Sequence, residues 1–166
     1  MTQVHALNMS EAAWKEWCVA NGAKAFLGTQ IMEWMTRKNC LDPLQFSNVS
    51  QNLRSKLAEE FEWHVPTIDT LLESGDGSEK ILLKTHDNLF TECVLMPSEN
   101  RVTLCVSSQV GCRMACTFCQ TGKMGLTRDL SRGEILAQII IANRRLLEKG
   151  DARRVTNIVF MGMGEP

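Results

Sequence analysis

Apolar residues recur at three- and four-residue intervals over the first third of the chain, then give way to short alternating runs. Ser10 stands as an N-cap before Ala13, Trp14, Trp17 and Cys18, which share one helical face, and Gly22 suits the stop. A second stripe carries Phe26, Ile31, Trp34 and Met35 before Lys38 and Asn39. A third helix is expected to begin near Asp42-Pro43, with Val49, Leu53, Leu57 and Phe61 on one face. The pattern predicts a small helical bundle over residues 8 to about 62. Trp14, Trp17 and Trp34 fit its core better than they fit stacking on nucleic-acid bases.

From residue 66 the period shortens. Thr67–Glu73, Lys80–Thr85, Leu89–Met96 and Val102–Ser107 are β-prone, and Gly75-Asp-Gly77, His86-Asp-Asn88 and Pro97–Asn100 separate them as turns. Antiparallel hairpins follow. Ser131-Arg-Gly-Glu134 reads as a capping box for a helix running to about Lys149, with Ile135, Ile139, Ala142 and Leu146 as its apolar stripe and Gly150 as its stop. Val155–Met161 reads as a buried strand. Strand, loop, helix and strand make a βαβ unit and hence a parallel pair. The expected fold class is α+β leading into α/β: a helical accessory domain at 1–64, a β-hairpin extension at 65–101, and the start of an α/β domain at 102–166.

Composition adds limits. The chain has 166 residues, 44% hydrophobic and 22% charged, with a net charge of −1, as expected of a globular protein. Its longest apolar-rich stretch, Ile135 to Ala142, contains Gln138 and falls far short of the roughly 20 residues of a membrane span. Near-neutral charge carries no global nucleic-acid signal, and the pairs Arg144-Arg145 and Arg153-Arg154 are weak local ones. Seven cysteines are an odd number, and the opening Met-Thr-Gln-Val-His-Ala-Leu has no secretory pattern. Reduced thiols in a cytoplasmic protein are expected.

Three of those cysteines, Cys112, Cys116 and Cys119, form a C-x3-C-x2-C run. One short loop can offer these thiolates to a [4Fe–4S] cluster while leaving one iron open for a substrate or cofactor. A closed zinc site normally needs four ligands. Cys105 and His86 are the nearest further candidates, and neither forms a second pair. In parallel α/β sheets ligands bind beyond the carboxyl ends of strands, so the cysteine loop and Gly162-Met-Gly-Glu165 should face one site.

These segments carry a family resemblance. The three-cysteine run with Phe118 before its last member resembles the signature of radical S-adenosylmethionine enzymes. More closely, Leu104–Cys112, Thr121–Gly125 and Phe160–Pro166 resemble the RNA adenine-C2 methyltransferases of the RlmN/Cfr group. The resemblance implies a partial (β/α) barrel, with the cysteines holding a [4Fe–4S] cluster whose open iron binds S-adenosylmethionine. It implies that Phe118, Gly164 and Glu165 contact that cofactor, that Glu92 is the proton-abstracting base, and that Cys105 resolves a protein–RNA adduct. A C-terminal cysteine would carry the methyl group as a methyl-cysteine intermediate. It also implies 23S rRNA and tRNA as substrates, an electron donor such as flavodoxin, and an RNA-binding role for the helical domain. Read without the resemblance, Glu92 is an ordinary strand carboxylate, Cys105 a small apolar side chain and Gly164-Glu165 a turn. Cys18, Cys40 and Cys93 read as structural.

The chain ends at Pro166 where family members continue, so an inactive N-terminal fragment lacking the methyl-carrying cysteine is expected, with Val155–Met161 left as an unpaired apolar edge. Two alternatives stay open: a Cfr-type methyltransferase of adenine C8, and a non-catalytic metal- or RNA-binding module.

Overall fold

The computed structural model describes residues 3–166, which divide into two compact units, one running to His64 and the other Val65–Pro166. In the first unit, helix α1 (Glu11–Ala20) opens where the Ser10 side chain accepts the Ala13 N–H. Helix α2 (Phe26–Thr36) packs closely on it, because a Cβ at Gly28 would stand 2.5 Å from the Lys15 nitrogen. Helix α3 (Gln51–Glu60) completes the set. Trp14 is fully buried, 4.7 Å from Phe61 and 5.9 Å from Trp63 between ring centroids. Trp17 and Trp34 are half-buried; Trp34 stacks on Phe46 at 5.2 Å beneath the Lys38 ammonium.

The third helix starts later than its stripe suggests. Asp42 accepts the Leu44 N–H and caps only a 3-10 turn, Pro43–Gln45. Phe46 and Val49 are buried from the turn that follows, which the Val49 N–H closes onto the Phe46 oxygen. Phe61 leaves the helix altogether: strand β2 (Phe61–Glu62) pairs in parallel with β1 (Val4–His5). Two-residue strands have no period for a pattern to reveal.

The second unit is α+β. Its sheet has the order β3 (Thr67–Glu73), β4 (Glu79–Lys84), β5 (Phe90–Pro97), β6 (Val102–Cys105), β9 (Asn157–Val159), antiparallel except for the last pair. Two further short strands, β7 (Gln109–Gly111) and β8 (Leu126–Asp129), pair antiparallel outside that sheet. Alternation along the strands separates two faces. Ile81, Leu83, Cys93, Leu95 and Leu104 form the core with Ile141, Ala142 and Leu146 of α5 (Arg132–Glu148). The pairs Leu82 with Glu92 and Val94 with Cys105 lie on the other face. Short helix α4 (Gln120–Lys123) precedes β8.

Helix α5 begins with the expected capping box, Ser131 to Glu134. Its buried face, however, is shifted: Ala137, Gln138, Ile141, Ala142 and Asn143 face inward, whereas Ile135 and Ile139 are half-buried. Two polar side chains occupy core positions because the backbone satisfies them. Gln138 exchanges two bonds of 2.9 Å with the main chain of Ser107, and Asn143 accepts the Val155 N–H. The strand expected over Val155–Met161 pairs only at Asn157–Val159, and it is not buried. Ile158 is 45% and Phe160 49% exposed, since β9 is the last strand of the sheet and has one neighbour. Among the described residues no helix is long and apolar enough to cross a membrane.

Ion pairs tie the helix to the sheet. Glu79 at the start of β4 is 2% exposed and meets Arg145 at 3.1 Å and Lys149 at 2.9 Å near the end of α5. Burial pushes its carboxyl up, but the two cations outweigh that and hold it below the usual carboxylate range. Arg128 of β8 binds Asp87 of the β4–β5 turn and Glu134 of the capping box. The Arg128 bond is the main cause that holds Asp87 low; Glu134 is raised by burial but held low overall by Arg128 and the Ser131 N–H.

All three carboxyls sit lower in the folded state than in the unfolded chain. Their stabilisation is therefore present above the unfolded pKa, near 4.5 for Glu and 3.8 for Asp, and is lost as pH falls through the folded values. Arg145→Ala, which leaves Glu79 buried with Lys149 alone, is expected to destabilise this unit by about 3 kcal/mol at pH 7. The difference from the parent should narrow at pH 3, where Glu79 in the variant can protonate. Urea unfolding at both pH values checks both statements.

Candidate active site

The cysteine loop hangs between two short strands that spacing did not reveal. Strands β7 and β8 flank residues 112–125 as a hairpin. Gly111 has φ +81°, and a Cβ there would lie 1.8 Å from the Gly125 carbonyl oxygen. That contact exists because the Cys112 N–H donates to the same oxygen at 3.0 Å. Cys112 is buried, Cys116 and Cys119 half-buried. Gly122 brings the α4 turn against Cys116, whose nitrogen would lie 2.9 Å from an added Cβ. The Cys119 N–H donates to the Cys116 oxygen at 3.1 Å. The Cys119 thiol is lowered by the Gly122 N–H first and then by Thr121, which favours the thiolate needed for metal ligation.

Three sulfur donors on one loop, one of them biased toward its anion, fit an iron–sulfur cluster by donor type. Among the described residues no three His, Cys, Asp or Glu side chains gather closely enough to hold a single metal ion. A four-iron cluster does not ask for that, since each of its thiolates binds a different iron. Phe118, beside the last cysteine, is 91% exposed.

The Gly162–Glu165 segment is bound to the residues that lead into this loop. Gly162 donates to the Val106 oxygen at 3.1 Å, and Met163 donates to the Ser107 hydroxyl at 2.8 Å. The Met163 oxygen accepts from Ser108 at 2.9 Å and Gln109 at 3.1 Å. Glu165 donates its N–H to the Gln109 side-chain oxygen at 3.2 Å. Glycine is required at both ends of this contact. A Cβ at Gly162 would stand 2.6 Å from the Ser107 hydroxyl, and one at Gly164, where φ is +101°, 2.6 Å from the Gln109 side chain. The fold thus brings the two segments to one end of the parallel pair β6–β9.

Ser107, Gln109 and Gln138 are the residues that sequence reasoning passed over. Their work is hydrogen bonding to distant backbone, for which no spacing rule exists. The Ser107 hydroxyl also donates to the Glu92 carbonyl, so one side chain joins β5 to the glycine segment.

Glu92 and Cys105 lie on the sheet face away from the core, on adjacent strands. Glu92 is half-buried and its carboxylate meets the Lys80 ammonium at 2.7 Å. The Cys105 thiol is pushed up by burial and by the charge of Glu92, against a lowering bond from the Met161 N–H. Cys105 therefore touches both the β5 carboxylate's field and the chain entering the glycine segment. Cys93, on the opposite face, is pushed up to about 12, mostly by burial, and is inert packing.

Comparison with known proteins covers both units. Residues 4–62 match the family model described as the ribosomal RNA large subunit methyltransferase N-terminal domain. A dual-specificity RNA methyltransferase RlmN from Anaeromyxobacter is 45% identical over 150 residues, 89% of this chain and 40% of the relative. The RlmN of Saccharophagus degradans is 38% identical over 166 residues, 99% of this chain and 42% of the relative. The crystal structure of a radical SAM methyltransferase from Sphaerobacter thermophilus superposes with a TM-score of 0.86 at 39% identity, covering 98% of this chain and 48% of that one. The chain spans about two fifths of the length of the curated relatives it matches. An identity this high, sustained through the helical unit, the hairpins and the cysteine hairpin alike, shows that the chain is similar along its length to part of the RlmN methyltransferases.

Proposed function

We propose that the protein carrying these two units methylates RNA by radical S-adenosylmethionine chemistry, at adenine C2 of 23S rRNA and of tRNA. The observation that supports this most is the bonding of Gly162–Glu165 to Val106–Gln109, which sets both cofactor segments at one strand end. Cys112, Cys116 and Cys119 are the cluster ligands, and Phe118, Gly164 and Glu165 face S-adenosylmethionine. When bound, these groups supply one-electron activation of a methyl group, which C2 needs because the carbon is not a nucleophile. The unit β6–α5–β9 is the first βαβ of a partial barrel.

Glu92 removes the C2 proton from the covalent adduct. The Cys105 thiolate then attacks the sulfur of the methyl-carrying cysteine, forming a disulfide as the carbon–sulfur bond breaks and the released carbon takes a proton to become the methyl group. Burial and the Glu92 charge favour the protonated thiol. Once Glu92 has taken up a proton its charge is gone, which eases ionisation of Cys105, so the order of the two steps is built into their proximity. A flavodoxin-like protein supplies electrons in the cytoplasm, where seven free cysteines stay reduced.

The test uses the full-length protein, reconstituted anaerobically with iron and sulfide and given methyl-labelled S-adenosylmethionine with rRNA and tRNA. Digestion and mass spectrometry should find 2-methyladenosine. Finding 8-methyladenosine would move the protein to the Cfr branch. Finding no methylated base, with zinc bound in place of iron, would leave a metal-binding module.

A further inference from the structure

We propose that Gln109 is a positioning residue that registers the glycine segment against the cysteine loop, and thereby sets affinity for S-adenosylmethionine. The inference rests on the cofactor reading given above, and adds to it a residue that touches neither cluster nor cofactor.

Gln109 is 3% exposed, and its amide is used at both ends. Its oxygen accepts the Glu165 N–H at 3.2 Å, and its nitrogen donates to Asp129 Oδ1 at 2.8 Å. Asp129 in turn meets the guanidinium of Arg113, the residue after Cys112, at 3.4 Å. A continuous polar path thus runs from Glu165 through Gln109 and Asp129 to the cysteine loop. Its central link is buried, where a hydrogen bond is strongest and an unmatched partner most costly. An amide is the one neutral side chain of this length that can both accept from a backbone N–H and donate to a carboxylate. The bare Gly164 lies over the Gln109 stem with no room for a methyl group, so the contact is close as well as polar. Among the described residues the glycine segment is also hydrogen-bonded to Val106, Ser107, Ser108 and the Gln109 backbone.

The polarity of the link can be reversed without changing net charge. Gln109→Glu with Asp129→Asn keeps an acceptor for the Glu165 N–H and lets the new amide at 129 donate to the new carboxylate at 109. Gln109→Leu removes both bonds at similar volume. Gln109→Glu alone sets two carboxylates against each other.

The experiment measures three quantities on anaerobically reconstituted full-length protein: iron content, thermal midpoint, and the dissociation constant of S-adenosylmethionine by equilibrium dialysis. Gln109→Leu, which loses both bonds, and Gln109→Glu, which loses the donor to Asp129, should each weaken cofactor binding about tenfold or more. Iron content should stay close to the parent's, while the thermal midpoint falls by no more than a few degrees for Gln109→Leu, the cost of the unmatched buried partners. The double substitution should return the constant to within about threefold of the parent, the coupling expected of two side chains in one hydrogen-bond network. The proposal is overturned if Gln109→Leu binds as the parent does, if iron is lost in step with cofactor binding, or if the double substitution rescues nothing. If the unaltered protein binds no S-adenosylmethionine, the cofactor reading itself falls and this inference with it. That outcome is distinct from a parent that binds and a variant that binds equally well.

Discussion

Cys112→Ala removes iron from the protein. After anaerobic reconstitution the parent should hold about four irons per chain with broad visible absorption, and the variant close to none. Cys112 is the buried member of the set, and its N–H donates to the Gly125 oxygen at 3.0 Å. Cys93→Ala is the matched control: that thiol is packed in the hydrophobic core of the sheet. It should cost modest stability and no iron. Iron retained in Cys112→Ala at the parent's level would sink the ligand assignment.

Gly111→Ala should be the most damaging single methyl group in the loop. The positive φ alone costs a non-glycine residue on the order of 1 kcal/mol. The added Cβ, 1.8 Å from the Gly125 oxygen, must also break the Cys112–Gly125 bond and spread the hairpin. A total of roughly 3–4 kcal/mol is expected, within the range of severe single substitutions. Gly125→Ala separates the two causes. Its φ is +71°, but nothing lies within 4 Å of an added Cβ, so only the conformational term of about 1 kcal/mol remains. Urea unfolding of both variants gives the difference directly. Equal losses would mean that the close approach contributes nothing.

Much of this architecture is legible in local sequence. Ser10, the Ser131–Glu134 box and the turns at Gly75–Gly77 and His86–Asn88 act within four or five residues, and the structure places each as its local chemistry dictates. The hairpins follow, because alternation and turn residues are local signals. What failed locally did so for tertiary reasons. Gln138 and Asn143 took inward positions on α5 because Ser107 and Val155, more than ten residues away, complete their hydrogen bonds. Val155–Met161 looked like a buried strand by hydrophobicity, but its position at the edge of the sheet leaves Ile158 and Phe160 exposed. The departure of Phe61 into β2 reflects pairing with Val4–His5, far off in the chain, whereas the break at Pro43–Gln45 is local, with Asp42 capping a 3-10 turn.

The candidate site divides along the same line. Sequence by itself offered the candidate donor set, since three cysteines at that spacing carry their chemistry within eight residues, and it carried the family resemblance through contiguous motifs. Only the tertiary structure decided that Glu165 answers to Gln109, that Ser107 joins Glu92 to the glycine segment, and that Glu92 and Cys105 share one sheet face. Ligand type is a property of side chains and survives unfolding. Register between segments separated by about fifty residues exists only once strands pair and close the loops between them.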